Sequence, residues 1–152
     1  METPTRRVRR SLDLSSIPPL STTRSPRSRL FKAAWVGGEG WPLPSWRGAM
    51  PDGNYWDRQR LEEHYRPWVD LARRRIGVHC GEGGAFSHTP HTVVLSWLRD
   101  VLEILTRENI GCALWNFRGT FGILDSERRD LEYEDWHGHS LDRKLLRLLQ
   151  SF

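Results

Sequence analysis

The sequence predicts an α/β fold of parallel βαβ units, in the order helix, strand, helix, strand, helix. Three observations carry this reading. Val94, Trp97, Leu98, Val101, Leu102 and Leu105 recur at helical spacing, the clearest periodic signal in the chain. On either side lie two short apolar runs, "IGVHC" at 76–80 and "IGCALWNF" at 110–117, which read as strands buried on both faces. Glycine and proline punctuate the segments between these elements. Parallel units of this kind have right-handed crossovers, and their ligands sit at the C-terminal ends of the strands. Chemistry is therefore sought toward the C-terminal ends of the two strands, at Glu82 and Trp115.

The elements follow in order. Residues 33–56, "AAWVGGEGWPLPSWRGAMPDGNYW", show no period and read as a long loop carrying Trp35, Trp41, Trp46 and Trp56. From Asp57 a helix is expected, with Leu61, Tyr65, Trp68, Val69 and Ala72 on its apolar side. Arginines 73–75 suit the helix C-terminus and Gly77 closes it, while Pro67 is expected to kink or split it. Ile76 to Cys80 forms the first strand and leads to Glu82, set in "CGEGG". Thr89 and Pro90 read as the cap and first turn of the next helix. "RENIG" ends that helix, and the second strand follows it. A loop of about twenty residues, a length often tied to function, leads to Ser140, which caps a last helix, "LDRKLLRLLQ". Trp68 and Trp97 are assigned to the core and Trp136 to packing within the last loop. No internal repeat is present.

Composition narrows the function classes. With 152 residues there is room for one domain with a real core, and 38% hydrophobic against 28% charged residues is a globular balance with a polar excess. No apolar run approaches the roughly 20 residues that span a bilayer, so no membrane partner is expected. The net charge of +4 belongs to one end of the chain. Residues 1–32 hold eight basic and two acidic side chains, whereas the remainder holds 15 basic and 17 acidic. The folded part thus offers no argument for nucleic acid. Rich in Ser, Thr, Pro and Arg, residues 1–32 read as a disordered leader. Its paired arginines are not followed by an apolar stretch or a cleavage site, so no signal peptide is visible and the chain as it stands reads as cytoplasmic.

Cys80 and Cys112 are too few and too widely spaced in sequence for a disulfide framework. "SHTPH" sets His88 and His91 three apart, but the histidines do not complete a zinc ligand set. Neither a metal nor a cofactor is expected.

Glu82 is a lone carboxylate between glycines at the end of a strand, and Trp115 ends the next strand. Consecutive parallel strands are usually neighbours, so the acid and the indole should share one rim. A carboxylate there can attack an anomeric carbon or stabilise an oxocarbenium-like transition state. Indole faces stack on the apolar C–H faces of sugar rings. Trp35, Trp41 and Trp46 read either as further sugar contacts or as a packed lid.

"GVHCGEGGAFSHTPHTVVLSWLRDVLEIL" and "NIGCALWNFRGTFGILDSERRDLEYEDWHGHSLDRKLLRLL", with "AAWVGG", "WRG" and "DGNYWDRQRLEEHYRPW" before them, resemble the C-terminal part of glycoside hydrolase family 5. These are cellulase-like retaining glycosidases. The resemblance runs from about residue 33 to the C-terminus and divides the chain into a leader, 1–32, and a partial catalytic domain, 33–152. It implies a C-terminal fragment of a (β/α)8 TIM barrel, comprising the last two to three βα units. Glu82 would be the nucleophile ending the seventh strand, and Trp115 the platform under the reacting sugar, ending the eighth. Hydrolysis of O-glycosidic bonds in a β-linked polysaccharide follows as the implied activity, with polysaccharide or oligosaccharide as the partner. Relatives are often secreted.

The departures are as specific as the matches. The family's acid/base glutamate stands in an Asn-Glu-Pro motif, and this chain has no Asn-Glu dipeptide. The His-x-Tyr motif of the sixth strand is also missing. A barrel takes about 250 residues, so the resemblance implies a truncated form lacking the acid/base. Self-association or a separately encoded N-terminal half would complete it; otherwise the chain is a non-catalytic remnant with weak carbohydrate binding. Glu39, Asp125, Glu132, Glu134 and Asp135 are the loop acids available as substitutes, and Arg118 is placed to orient such carboxylates by paired hydrogen bonds.

Overall fold

The computed structural model describes residues 10–13, 45–49 and 55–152. Its centre is a parallel sheet of three strands in the order β1-β4-β5: β1 Arg10–Asp13, β4 Val78–Gly83 and β5 Gly111–Leu114. Two antiparallel pairs flank it. One joins β2 Gly48–Ala49 to β3 Tyr55–Trp56, and the other joins β6 Glu134–Trp136 to β7 His139–Leu141. The described helices are α1 Arg58–Arg73, α2 His91–Arg107 and α3 Arg143–Gln150. The expected α/β class is observed, with β4, α2 and β5 forming a βαβ unit.

Strand β1 corrects the reading of residues 1–32 as a disordered leader throughout. Arg10–Asp13 pair in parallel with β4, Arg10 opposite Val78 and Asp13 opposite Glu82. Four residues without apolar alternation give no periodic signal; their backbone hydrogen bonds to β4 make the strand.

Helix α1 begins where expected, with Asp57 as N-cap accepting from the Arg60 N–H at 2.9 Å. Leu61, Tyr65 and Val69, each four residues after the last, form its buried face. The helix is continuous through Pro67. That proline is exposed, so water can satisfy the Glu63 carbonyl that its missing N–H would have bonded.

Helix α2 covers the sheet. Val94, Trp97, Leu98, Val101, Ile104 and Leu105 are almost wholly buried, and each such side chain contributes about 1.5–3 kcal/mol. Its N-cap is Pro90 rather than Thr89, with no side-chain cap on the helix itself. One N–H of this buried end is satisfied from a distance, because the His91 backbone N–H donates to Asp130 Oδ2 at 2.6 Å.

Further expectations are corrected. Strand β4 runs on through Glu82 to Gly83 rather than ending at Cys80, so Glu82 lies within the strand end. Strand β5 stops at Leu114, short of the expected 110–117. The expected long loop contains the β6–β7 hairpin, and α3 is capped by Asp142, whose Oδ1 accepts from the Leu145 N–H at 2.9 Å, not by Ser140. Trp56 joins the core and Trp136 is exposed. Among the described residues, no helix is long and apolar enough to cross a membrane.

Candidate active site

Glu82 and Trp115 share one rim of the sheet. Gly83 and Leu114 are register partners, and the Trp115 backbone N–H donates to the Gly83 carbonyl at 2.8 Å. This backbone bond ties the residue after Glu82 to the residue that carries the indole. Both side chains are open to solvent, Trp115 with 52% of its surface exposed. Among the described residues, no hydrogen bond or ion pair engages the Glu82 carboxylate.

An aromatic row leads away from Trp115. Its ring lies 5.8 Å from Phe121, Phe121 lies 5.6 Å from Phe86, and Phe86 lies 4.8 Å from His88. Phe86 comes from the loop after β4 and Phe121 from the loop after β5, so the row crosses both strand exits. Sequence reasoning missed it because Phe86 and Phe121 are 35 positions apart and neither lies in a periodic element. "GGAF" and "GTFG" held the signal: an aromatic within two residues of glycine, in the loop that follows each strand.

Two glycines let these loops approach. Gly84 has φ +148°, and a Cβ there would lie 3.2 Å from the Phe121 carbonyl oxygen. Gly122 sits so close to the Phe117 carbonyl that a Cβ would meet its oxygen at 2.4 Å. The space beside Gly84 is thus filled by the chain's own Phe121.

Arg128 braces the loop after β4 from beneath. Its buried guanidinium donates to the carbonyls of Ala85 at 2.6 Å and Thr89 at 2.7 Å. Burial lowers its pKa, against the opposing influence of Asp142, Asp130 and Tyr133. The Tyr133 hydroxyl accepts from the Arg128 backbone N–H at 2.6 Å and meets Ser126 Oγ at 2.9 Å.

The loop acids have other partners. Asp125 accepts from the Ser140 N–H at 2.9 Å, from His139 Nδ1 at 2.9 Å and from Arg118 Nε. These bonds, that from Ser140 foremost, hold its pKa below the usual carboxylate value. Arg118 does orient a loop carboxylate, Asp125, but through a single bond from Nε rather than the expected pair. Glu134 is likewise lowered, by its hydrogen bonds from Arg143. Glu132 and Asp135 are exposed.

Of the loop tryptophans, Trp35, Trp41 and the acid Glu39 lie outside the described residues. Trp46 is half-buried, and its indole N–H donates to Asp100 Oδ2 on α2 at 2.8 Å. Arg47 and Arg58 engage the same carboxylate at 3.3 and 3.0 Å. The structure therefore brings Glu82 and Trp115 together and anchors Trp46 to a helix. Among the described residues, no group of three or more His, Cys, Asp or Glu side chains could hold a metal ion.

No family model matches the chain, and no curated protein matches it. Solved structures do. A crystal structure described as a glycoside hydrolase is 33% identical, with a TM-score of 0.76, over 95% of this chain and 42% of its own length. The cellulose synthase subunit Z of Clostridioides difficile is 21% identical, with a TM-score of 0.52, over 74% of this chain and 33% of its own. Thermotoga maritima Cel5A, solved in complex with a mannotriose substrate, is 18% identical, with a TM-score of 0.52, over 86% of this chain and 34% of its own. The last two likenesses are of fold alone. The chain spans less than half the length of each of these structures. In fold, the chain is similar to the cellulase-like glycoside hydrolases, the resemblance its sequence carries.

Proposed function

We propose that the chain carries the nucleophile side of a retaining glycosidase centre of the family 5 kind, acting on a β-linked polysaccharide. The observation that carries this reading is the shared rim: Glu82 and Trp115 end neighbouring parallel strands, linked by the Trp115–Gly83 hydrogen bond. In this reading the three-stranded sheet is part of a (β/α)8 barrel, whose active sites lie at the C-terminal face of the strands. The names of the similar structures, a glycoside hydrolase and a Cel5A bound to mannotriose, support the substrate class.

Glu82 attacks the anomeric carbon to give a glycosyl-enzyme intermediate, while Trp115 lies beneath the sugar ring. Water then releases the sugar with retained configuration. A second carboxyl group, about 5–5.5 Å from the nucleophile, protonates the leaving oxygen in such a mechanism. Asp125 and Glu134 are poor donors, since their hydrogen bonds favour the ionised form. That observation favours a second reading, in which the rim binds sugar without catalysis unless an acid comes from outside the described residues.

An aryl β-cellobioside with an activated leaving group needs little acid assistance and isolates the nucleophile. The expected result is release by the wild-type chain that is abolished in Glu82→Gln. Lack of release, with Trp115-dependent fluorescence quenching by cello-oligosaccharides, selects the second reading. Neither release nor quenching from a folded chain overturns both.

A further inference from the structure

Directly beneath the rim, β4 and β5 carry the chain's two cysteines as register partners, Cys80 opposite Cys112. Their Sγ atoms are 3.6 Å apart, and neither is in a disulfide. Neighbouring strands lie about 4.8 Å apart, within the roughly 4.4–6.8 Å that disulfide-linked Cα atoms span. Closing the bond requires the sulfurs to approach to about 2.05 Å. The pairing register shifts between Cys80 and Gly83, so the ladder is already irregular where this movement would fall.

The two thiols differ in access. Cys80 is fully buried and Cys112 is only partly so. Its hydrogen bond with Cys80, acting against burial, lowers the Cys112 pKa, which favours the thiolate at the more accessible sulfur.

We propose that Cys80 and Cys112 form a reversible oxidation site, closing to an intramolecular disulfide on reaction with a small disulfide such as oxidised glutathione. Cys112 thiolate attacks one glutathione sulfur, forming a mixed disulfide and expelling one glutathione thiolate. Cys80 thiolate then attacks the Cys112 sulfur, forming the internal bond and expelling the second. The two cysteines lose two electrons and two protons; one glutathione disulfide gains both and leaves as two thiols. The bond would join β4 to β5 two residues before Glu82 and three before Trp115.

The test uses the full chain, reduced and then exposed to oxidised glutathione under native conditions. Intact mass after alkylation in denaturant reads the product. The expected product is a monomer lighter by two hydrogens, carrying no alkyl groups and restored by dithiothreitol. Cys80→Ser should accumulate one glutathione on Cys112, and Cys112→Ser should take up none. In urea, closure should be slower by roughly tenfold or more, because the fold no longer holds the sulfurs together. Two alkylated thiols in the exposed wild type, a persistent mixed disulfide, a linked dimer, or equal rates in urea would each overturn the proposal. These readouts do not involve sugar, so they stand or fall apart from the glycosidase reading.

Discussion

His91 and Asp142 form a buried pair, Nε2 to Oδ2 at 2.7 Å, that joins the start of α2 to the start of α3. The other Asp142 oxygen caps α3 through the Leu145 N–H. One carboxylate therefore fixes two helix N-termini, and it does so next to the loop that Arg128 braces. Burial works to raise the Asp142 pKa, but the bonds from His91 and Leu145 outweigh it, and the value is lowered.

Asp142→Ala should cost roughly 2–5 kcal/mol in urea unfolding at neutral pH, because it leaves two buried donors unpaired. Asp142→Asn keeps a good cap residue and should cost less. The pH dependence has a definite sign. A carboxyl group lowered in the folded state contributes its full stability above the unfolded value and loses it as pH falls through the folded value. The gap between wild type and Asp142→Asn should therefore narrow below about pH 4. A gap that persists unchanged into acid would show that the carboxylate charge is irrelevant.

Arg128→Met should free the loop after β4, since the carbonyls of Ala85 and Thr89 lose their donor. The expected cost is roughly 2–5 kcal/mol, with faster hydrogen exchange confined first to residues 84–89. Arg128→Lys should recover only part of it, because one ammonium cannot span the fork. Full recovery by lysine would mean that charge, not geometry, holds the loop.

What the sequence disclosed and what it concealed divide along physical lines. Helical periodicity and apolar runs report burial, so α1, α2, β4 and β5 were legible, as was the neighbouring position of Glu82 and Trp115. Contacts set by tertiary structure leave no local pattern. Asp130 capping α2, Arg128 under the loop and the Phe86–Phe121 contact each join residues more than thirty positions apart. Strand β1 was hidden for a related reason, because four residues of an Arg-rich segment, with Leu12 alone apolar, form it by pairing with β4. The cysteines read as distant because spacing in sequence says nothing of register across a βαβ crossover.

Gly122→Ala should damage the rim without touching a rim side chain. The added methyl would overlap the Phe117 carbonyl, so the turn from 117 to 124 must shift. Overpacking of this kind costs about 1–3 kcal/mol. Phe121 would move relative to Trp115, and the tryptophan emission should change in the folded state. Unchanged emission and stability would show that the turn yields at no cost.

Trp115 and Trp46, both candidate sugar contacts in the sequence, have different surroundings in the structure. Trp115 presents half of its surface at the rim, whereas Trp46 donates to Asp100 on α2. If sugar binds at the rim, Trp115→Ala should weaken cello-oligosaccharide affinity by about tenfold, the equivalent of 1.4 kcal/mol, with little effect on unfolding. Trp46→Phe should do the reverse. It keeps an aromatic ring but removes a hydrogen bond to a charged group, for a stability loss of about 1.5–3 kcal/mol, and affinity should stay unchanged. Urea unfolding and isothermal calorimetry on the same two variants read both quantities. Loss of affinity in Trp46→Phe at unchanged stability would place the sugar site over α2, away from the strand ends.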